Sequence, residues 1–227
     1  QLNQSNRFAY TLDHLLYYDK TINKHNFGVT LLQSSSSFRE ESSSLTGSKI
    51  SLPNSLWYGL NTGNITGLDA FDTNLRKSTL NSYMARANYS FNSKYLLTAS
   101  ARWDGASQLA AGNKWDFFPS AALAWRLEQE DFMKNIKWVN QLKLRLGVGS
   151  TGNSSVDIGS TLGLLQPLTY TYGSSAQTGY VSSDASLANP IPLPNKLLSW
   201  EKTLQYNLGL DFDILKGRIS GSLDVYQ

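Results

Sequence analysis

Four groups of residues in this chain have types and spacings that could do chemistry. Gly147 to Gly152, "GVGSTG", matches the glycine pattern of a dinucleotide-binding turn, where backbone N–H groups at a helix start receive a pyrophosphate. His14 and His25 are the only imidazoles, so any histidine-bound metal would have to use them. Glu40–Glu41 and the trio Glu128, Glu130 and Asp131 are acid clusters, and paired carboxylates can share acid and base roles at a glycosidic bond. Asn64, Asn88 and Asn153 each open an N-x-S/T triplet that could accept a glycan.

Each fails on its surroundings. The residues before "GVGSTG" carry Lys143 and Arg145 in alternation with leucines, whereas a buried parallel strand reads as continuously apolar. The residues after it, "NSSVDIGSTLG", form no amphipathic helix to meet a phosphate, so the glycines read better as bending points of a strand. The two histidines fit no metal spacing and are too few for a Ser-His-acid arrangement. The chain has no cysteine, which excludes disulfides and thiolate metal sites. The acid clusters sit at strand or helix ends and read as solvated surface. The triplets are common by chance, and Asn88 falls inside a strand pattern. The expectation is a protein that is not an enzyme, with no cofactor and no metal.

The totals narrow the class. Formal net charge is +3 with 16% charged residues, and the Lys and Arg are scattered, so no nucleic-acid partner is expected. No apolar run approaches the roughly 18 residues of a membrane helix, which excludes helical spans but not a membrane barrel. The chain opens "QLNQSNRFAY" with no signal-like region and stops inside an alternating pattern at "SGSLDVYQ". Both ends read as cut, so an internal piece of a longer protein is expected.

The elements that position these residues show in the period. In "SWEKTLQYNLGLDFDIL", every second residue from Trp200 is apolar apart from Lys202, and the others as far as Asp213 are polar or glycine. Such alternation marks a strand with one greasy and one polar face. It recurs in "LNSYMARANYSF", "YLLTASARWD", "FFPSAALAWRLE", "LKLRLGVGS" and the residues after "LKGR", with a noisier pair at Phe8–Asp19 and Asn26–Gln33. This gives about eight strands, most reaching the roughly 9–11 residues that a tilted membrane-spanning strand needs. Short turns at "INKH", "FNSK" and "LKGR" alternate with long Ser/Gly/Asn/Thr-rich loops at about 42–79, 105–115 and 151–198. Short turns at one end and long loops at the other are the membrane-barrel pattern, the long loops being extracellular. The medium connection, "EQEDFMKNIKWVNQ", has Phe132, Ile136 and Val139 at helical spacing, and a short surface helix against the rim is expected there.

The fold class expected is therefore all-β: an antiparallel up-and-down transmembrane β-barrel, present as a partial barrel of about eight strands across residues 1–227. Aromatics on the apolar face cluster at strand ends, with Ala and Leu between. Tyr89, Phe91, Tyr95, Trp125 and Phe212 lie near short turns; Tyr83, Trp103, Phe117 and Trp200 lie near long loops. They are assigned as membrane-interface aromatics in contact with outer-membrane lipid, because amphipathic rings favour the headgroup level. Lys202, in the apolar register, is near enough to a strand end to snorkel. His14 and Gln33 are similar exceptions. The opposite face carries Arg86, Asn88, Arg102, Asp104, Arg126, Lys143, Arg145, Glu201, Gln205, Asp211 and Asp213. These are expected to form a lumen-facing polar wall, which docks a plug, lines a solute path, or only joins strands by ion ladders.

Taken together, "SKYLLTASARWDGAS", "NKWDFFPSAALAWRLEQEDFMK", "LKLRLGVGSTGN" and "NP…LSWEKTLQYNLGLDFDILKGRISGSLDVY" resemble the barrel of SusC/RagA-type TonB-dependent transporters. "YYDKTINKHN" resembles an earlier hairpin of that family. The order and spacing match over about two-thirds of the chain. Two places depart from the family pattern: Ala106 to Leu109 follow Asp104–Gly105 where the family has a serine pair, then a basic and an aromatic residue; and "IPLPNKLLS" is extra before Trp200. Both lie on loops, so they bear on substrate. The resemblance implies a 22-stranded outer-membrane barrel of Gram-negative bacteria with an N-terminal plug. It implies a SusD-like surface lipoprotein as partner, glycan oligomers or peptides as substrate, and TonB acting through the plug. The plug, the TonB-contacting N-terminal region and the final strands would be absent here, making this a segment of the C-terminal barrel domain. Two other readings remain: a small complete outer-membrane barrel with an adhesive or structural role, and a soluble carbohydrate-binding β-sandwich.

Overall fold

The computed structural model describes residues 1–47, 71–162, 166–173, 175–181 and 194–227. Eight strands form one sheet in the order β1 (Leu2–Ile22), β2 (His25–Leu45), β3 (Phe71–Phe91), β4 (Tyr95–Ala106), β5 (Trp115–Arg126), β6 (Val139–Asn153), β9 (Glu201–Ile214), β10 (Ile219–Tyr226). The remaining two, β7 (Gln166–Tyr172) and β8 (Ser175–Val181), make a separate antiparallel hairpin. From β3 onward each resolved pairing is antiparallel between strands adjacent in chain order, apart from the hairpin excursion between β6 and β9. The all-β meander and its eight strands are as the alternation requires.

Packing divides the chain into two units. One comprises 1–12 and 35–79, the other 13–34 and 80–227. The first is polar. Glu40 lies between Arg7 at 3.6 Å and Arg76 at 4.0 Å, Arg39 pairs with Glu41, and the Arg7 guanidinium stands 5.0 Å over the Phe38 ring. Glu40 and Glu41 are therefore both ion-paired, Glu40 partly covered and Glu41 on the exposed surface as expected.

In the second unit the short turns carry residues with positive φ: Asn92 and Ser93 between β3 and β4, and Leu215, Lys216 and Gly217 between β9 and β10. Consecutive positive φ values match the right-handed twist of the strands they join. Among the described residues, burial of apolar side chains is confined to Ala106, Leu109, Ala110, Phe118 and Trp200, all at the long-loop end. A sandwich would bury one face along its whole length. Here Leu97, Leu123, Leu146 and Leu208, mid-strand, are each at least 40% exposed. Such a face needs a nonaqueous medium to cover it.

Three expectations need correction. The loop expected at about 42–79 is strand at both ends, because β2 runs to Leu45 and β3 begins at Phe71; 48–70 lie outside the described residues. The loop at about 151–198 contains the β7–β8 hairpin. The helix expected between Glu128 and Asn140 is two single 3₁₀ turns, Leu127–Gln129 and Asp131–Met133. Phe132 is 63% exposed, so the helical spacing marks no buried stripe. Side-chain hydrogen bonds of the acids hold this connection instead.

Candidate functional site

Residues directly opposite one another in antiparallel strands share a face. One row runs Arg86, Ser100, Ser120, Gly149, Gln205 across five strands, and the next runs Asn88, Thr98, Ala122, Gly147, Asn207. Met84, Arg102 and Phe118 form the row toward the long loops. Arg126, Lys143, Asp211 and Ser222 form one toward the short turns, and Ala124, Arg145, Gly209 and Asp224 another. Asp104 pairs with Asp116, Gln141 with Asp213, and Asn153 with Glu201. The eleven residues of the expected wall thus stand on one face.

Lys143, Arg145 and Asp211 are neutralised across strands, whereas Arg102 and Asp104 pair within β4. The Arg145 guanidinium donates to both oxygens of Asp211 at 2.9 and 2.8 Å and reaches Asp224 at 3.0 Å, joining β6, β9 and β10. Lys143 adds a weaker contact to Asp211 at 3.9 Å. Gly209 makes this possible: a Cβ there would stand 2.7 Å from the Arg145 guanidinium carbon and 2.6 Å from an Asp224 oxygen. Asn140 donates to Asp213 at 3.1 Å, and Asn153 to Glu201 at 3.1 Å. Toward the long loops Arg102 donates to Asp104 at 2.7 Å and to the buried Ser82 hydroxyl at 2.9 Å.

The long-loop rim is built by three chain segments. Phe118 from the polar face meets Trp200 edge-on, with ring centroids 5.2 Å apart, and Ala106 and Leu109 complete the cluster. Hydrogen bonds cross-tie the segments: the Ala110 N–H to the Leu198 carbonyl at 3.1 Å, the Gln108 amide to that of Ser154 at 2.9 Å, the Trp200 indole N–H to that of Lys114 at 2.9 Å. Trp200 is therefore not a lipid-facing girdle residue. β9 starts at Glu201, so the alternation does not extend to Trp200, which is only 8% exposed. Described residues of the two loops that depart from the family pattern meet here, since Leu198 packs against the cluster that holds Ala106 and Leu109. Sequence reasoning missed Leu109 and Phe118. Lys202, in the apolar register, turns its ammonium to Asp116 at 2.6 Å.

On the apolar face, Tyr83 and Trp103 are joined by Trp115, whose ring is 4.7 Å from that of Trp103. The short-turn end has its own row, in which Phe91, Tyr95 and Trp125 stack at 6.4 Å intervals. His25 extends it, 4.8 Å from the Phe91 ring and 2.8 Å from the Tyr89 hydroxyl. Glu130 anchors this row. It accepts from the Tyr95 hydroxyl at 2.8 Å, the Trp125 indole N–H at 3.0 Å and the Lys94 ammonium at 3.2 Å. These donors, Tyr95 foremost, hold its carboxyl below the ordinary carboxylate range. Glu128 accepts from Arg126 at 2.8 Å and from the Leu142 N–H at 3.3 Å. Glu128 and Glu130 are thus structural acceptors rather than solvated acids; only Asp131, paired with Lys134, is exposed. The Glu130 carboxylate serving two aromatic donors was legible only as an acid near a strand end.

Gly147 to Gly152 lie within β6, paired to β9 throughout. No group of three side chains able to hold a metal ion occurs among the described residues. Asn153 accepts from the Ser155 N–H at 2.9 Å, and Asn64 lies outside the described residues.

A sheet with one uncovered apolar face, aromatic rows at both of its ends and an ion-laddered opposite face is the wall of an outer-membrane β-barrel. The chain belongs to the TonB dependent receptor-like, beta-barrel family, whose model matches residues 1–227, and is of the SusC/RagA type. It is 42% identical over 150 residues to the TonB-dependent receptor SusC of Bacteroides thetaiotaomicron, covering 66% of this chain and 15% of that protein. It is 36% identical over 169 residues to the TonB-dependent receptor P39 of Formosa agariphila, covering 74% of this chain and 14% of that protein. Its fold matches a chain of the RagAB peptide transporter with TM-score 0.79 at 22% identity, over 99% of this chain and 24% of that one. The chain thus spans about one-seventh of the length of the curated relatives it matches.

Proposed function

We propose that these residues form part of the wall of a transporter that imports glycan oligomers or peptides across the outer membrane. In this reading TonB supplies energy through a region outside these residues, and a SusD-like surface lipoprotein captures the solute. The observation that carries it is the 42% identity to SusC over 150 residues. The similarity to a peptide transporter's fold keeps peptides beside glycans as substrate class. The polar wall takes the role of lumen lining, where its ladders hold strands in register and its free groups meet a plug or passing solute. No catalytic step is assigned to it.

Uptake of labelled oligosaccharides and peptides by cells with and without the full-length gene tests this reading. The expected result is gene-dependent uptake of one of the two classes, abolished by a protonophore, with a lipoprotein co-purifying. Uptake unchanged by deletion, or insensitive to the protonophore, overturns it. An intact protein of 25.2 kDa purified alone would instead support a small adhesive or structural barrel.

A further inference from the structure

We propose that the middle of the polar wall, around Arg86, is a carboxylate-binding site. The inference rests on the reading that this face lines the lumen. Its basis is an imbalance in how the wall's charges are matched. Arg102, Arg126, Lys143 and Arg145 each have a carboxylate partner. Arg86, mid-strand on β3, has no hydrogen-bond or ion-pair partner among the described residues. Asp19, a carboxylate lying against Gly28 and near Asn88, makes no ion pair with it.

The space is shaped for a ligand. Arg86, Ser100, Ser120, Gly149, Gln205 and Asn207 line one groove of about 640 Å³. Its floor is Gly147 and Gly149, where the wall has no side chains; a Cβ at Gly149 would already meet Ser120 at 3.1 Å. The Ser100 and Ser120 hydroxyls bond each other at 2.7 Å, which uses one of their two O–H protons and leaves the other to donate into the groove. A guanidinium presents two parallel N–H donors that fit the two oxygens of a carboxylate, and Ser100, directly opposite Arg86 on β4, stands beside it. One cation matches a monoanion. A phosphate would bring about one further charge without a partner, and a neutral solute would leave the guanidinium unmatched.

The carboxylate has two possible sources, a diffusible acidic solute or an Asp or Glu elsewhere in the same protein. The test uses the full-length protein in detergent, with Arg86→Gln and Arg86→Lys. The probe is the blocked tripeptide Gly-Asp-Gly, with Gly-Asn-Gly as control, titrated by calorimetry; thermal unfolding is followed in parallel. A loss of roughly tenfold or more in Gly-Asp-Gly affinity in Arg86→Gln, partly restored in Arg86→Lys, with unchanged unfolding, supports the site and a solute source. Unchanged probe binding with a lowered unfolding midpoint, again partly restored by lysine, supports the site and an internal source. Neither change overturns the proposal. A spin label at Arg86→Cys, in a cysteine-free background, separates this from failure of the underlying reading: greater exposure to oxygen than to a water-soluble nickel chelate would place this face in lipid.

Discussion

The two ends of β4, β5, β6 and β9 are held by opposite means. At the long-loop end, Phe118 and Trp200 bury each other with Ala106 and Leu109, and hydrogen bonds between segments seal the cluster. At the short-turn end nothing apolar is buried among the described residues; one carboxylate, Glu130, gathers a phenol, an indole and an ammonium. The difference comes from the neighbours. The long loops supply their own apolar cover, so water can be excluded by side chains. The short turns are too brief to cover anything, and the exposed rings there need acceptors for their O–H and N–H groups.

If that contrast is right, the largest effect of any single truncation falls at the long-loop end. Trp200→Ala removes the largest ring of the cluster and one of the two donors to the Lys114 carbonyl, which keeps the Ala106 N–H; about 3–5 kcal/mol of folding stability should be lost. Leu109→Ala should cost about 2–5 kcal/mol. Urea unfolding of the full-length protein in detergent measures both. A Trp200→Ala effect below that of Trp103→Ala on the exposed face would show that the cluster is not what holds this end.

The contrast also assumes that both ends share one pair of faces. Leu208→Arg, mid-strand on the apolar face, should cost roughly 2–4 kcal/mol and reduce assembled barrel, whereas Asn207→Arg, one residue away, should be tolerated far better. Heat-modifiable mobility of the assembled protein distinguishes them, and equal effects would refute the register. Next in size is Gly209→Ala. Its Cβ would push against the Arg145 guanidinium that bridges Asp211 and Asp224, costing about 1–3 kcal/mol. Arg145→Ala in the same background should remove most of that penalty, because the guanidinium goes and the Asp224 carboxylate, 2.6 Å from the added Cβ, is no longer held against it by an ion pair. Additive effects would mean that the close approach is not the cause.

What the sequence reveals depends on which medium enforces it. Between Tyr83 and Phe91, or Leu204 and Phe212, lipid on one side and polar groups on the other impose period two, and the strands are plain. β2 continues through "SSSSFREESSS" and β3 begins in "FDTNLRK", where no apolar face is selected. There pairing is held by neighbours and by ions such as Glu40 with Arg7 and Arg76, which alternation cannot show. The wall residues were legible because parity decides the face. Trp200 and Leu109 were not, since the indole donates across 86 positions to Lys114 and parity stops at the strand end. The connection after β5 misled by chance: Phe132, Ile136 and Val139 have helical spacing, yet the chain is held by its carboxylates.

The smallest effect should come from Glu130, and its sign separates the two ends most cleanly. The Glu130 carboxyl is held below the ordinary carboxylate range by hydrogen bonds from Tyr95, Trp125 and Lys94. A group whose folded-state value is depressed contributes stability that is present above the unfolded value and lost as pH falls through the folded one. Lowering pH from neutral into the acid range should therefore loosen the short-turn rim, as Glu130 takes up a proton and loses its ion pair with Lys94. Glu130→Gln keeps an acceptor for the Tyr95 and Trp125 donors but has no proton to gain, so its rim should be weaker at neutral pH and unresponsive in that window. The long-loop cluster contains no titratable side chain and should not respond in either protein. Fluorinated tryptophan at Trp125 and Trp200, monitored by ¹⁹F NMR from pH 7 to pH 3, reads each end separately. A Trp125 resonance that moves in the wild type and stays fixed in Glu130→Gln, beside an unmoved Trp200, is the expected result. Movement of Trp125 in both proteins would assign the transition to another acid, with Glu128, the acceptor for Arg126 and the Leu142 N–H, the next to substitute.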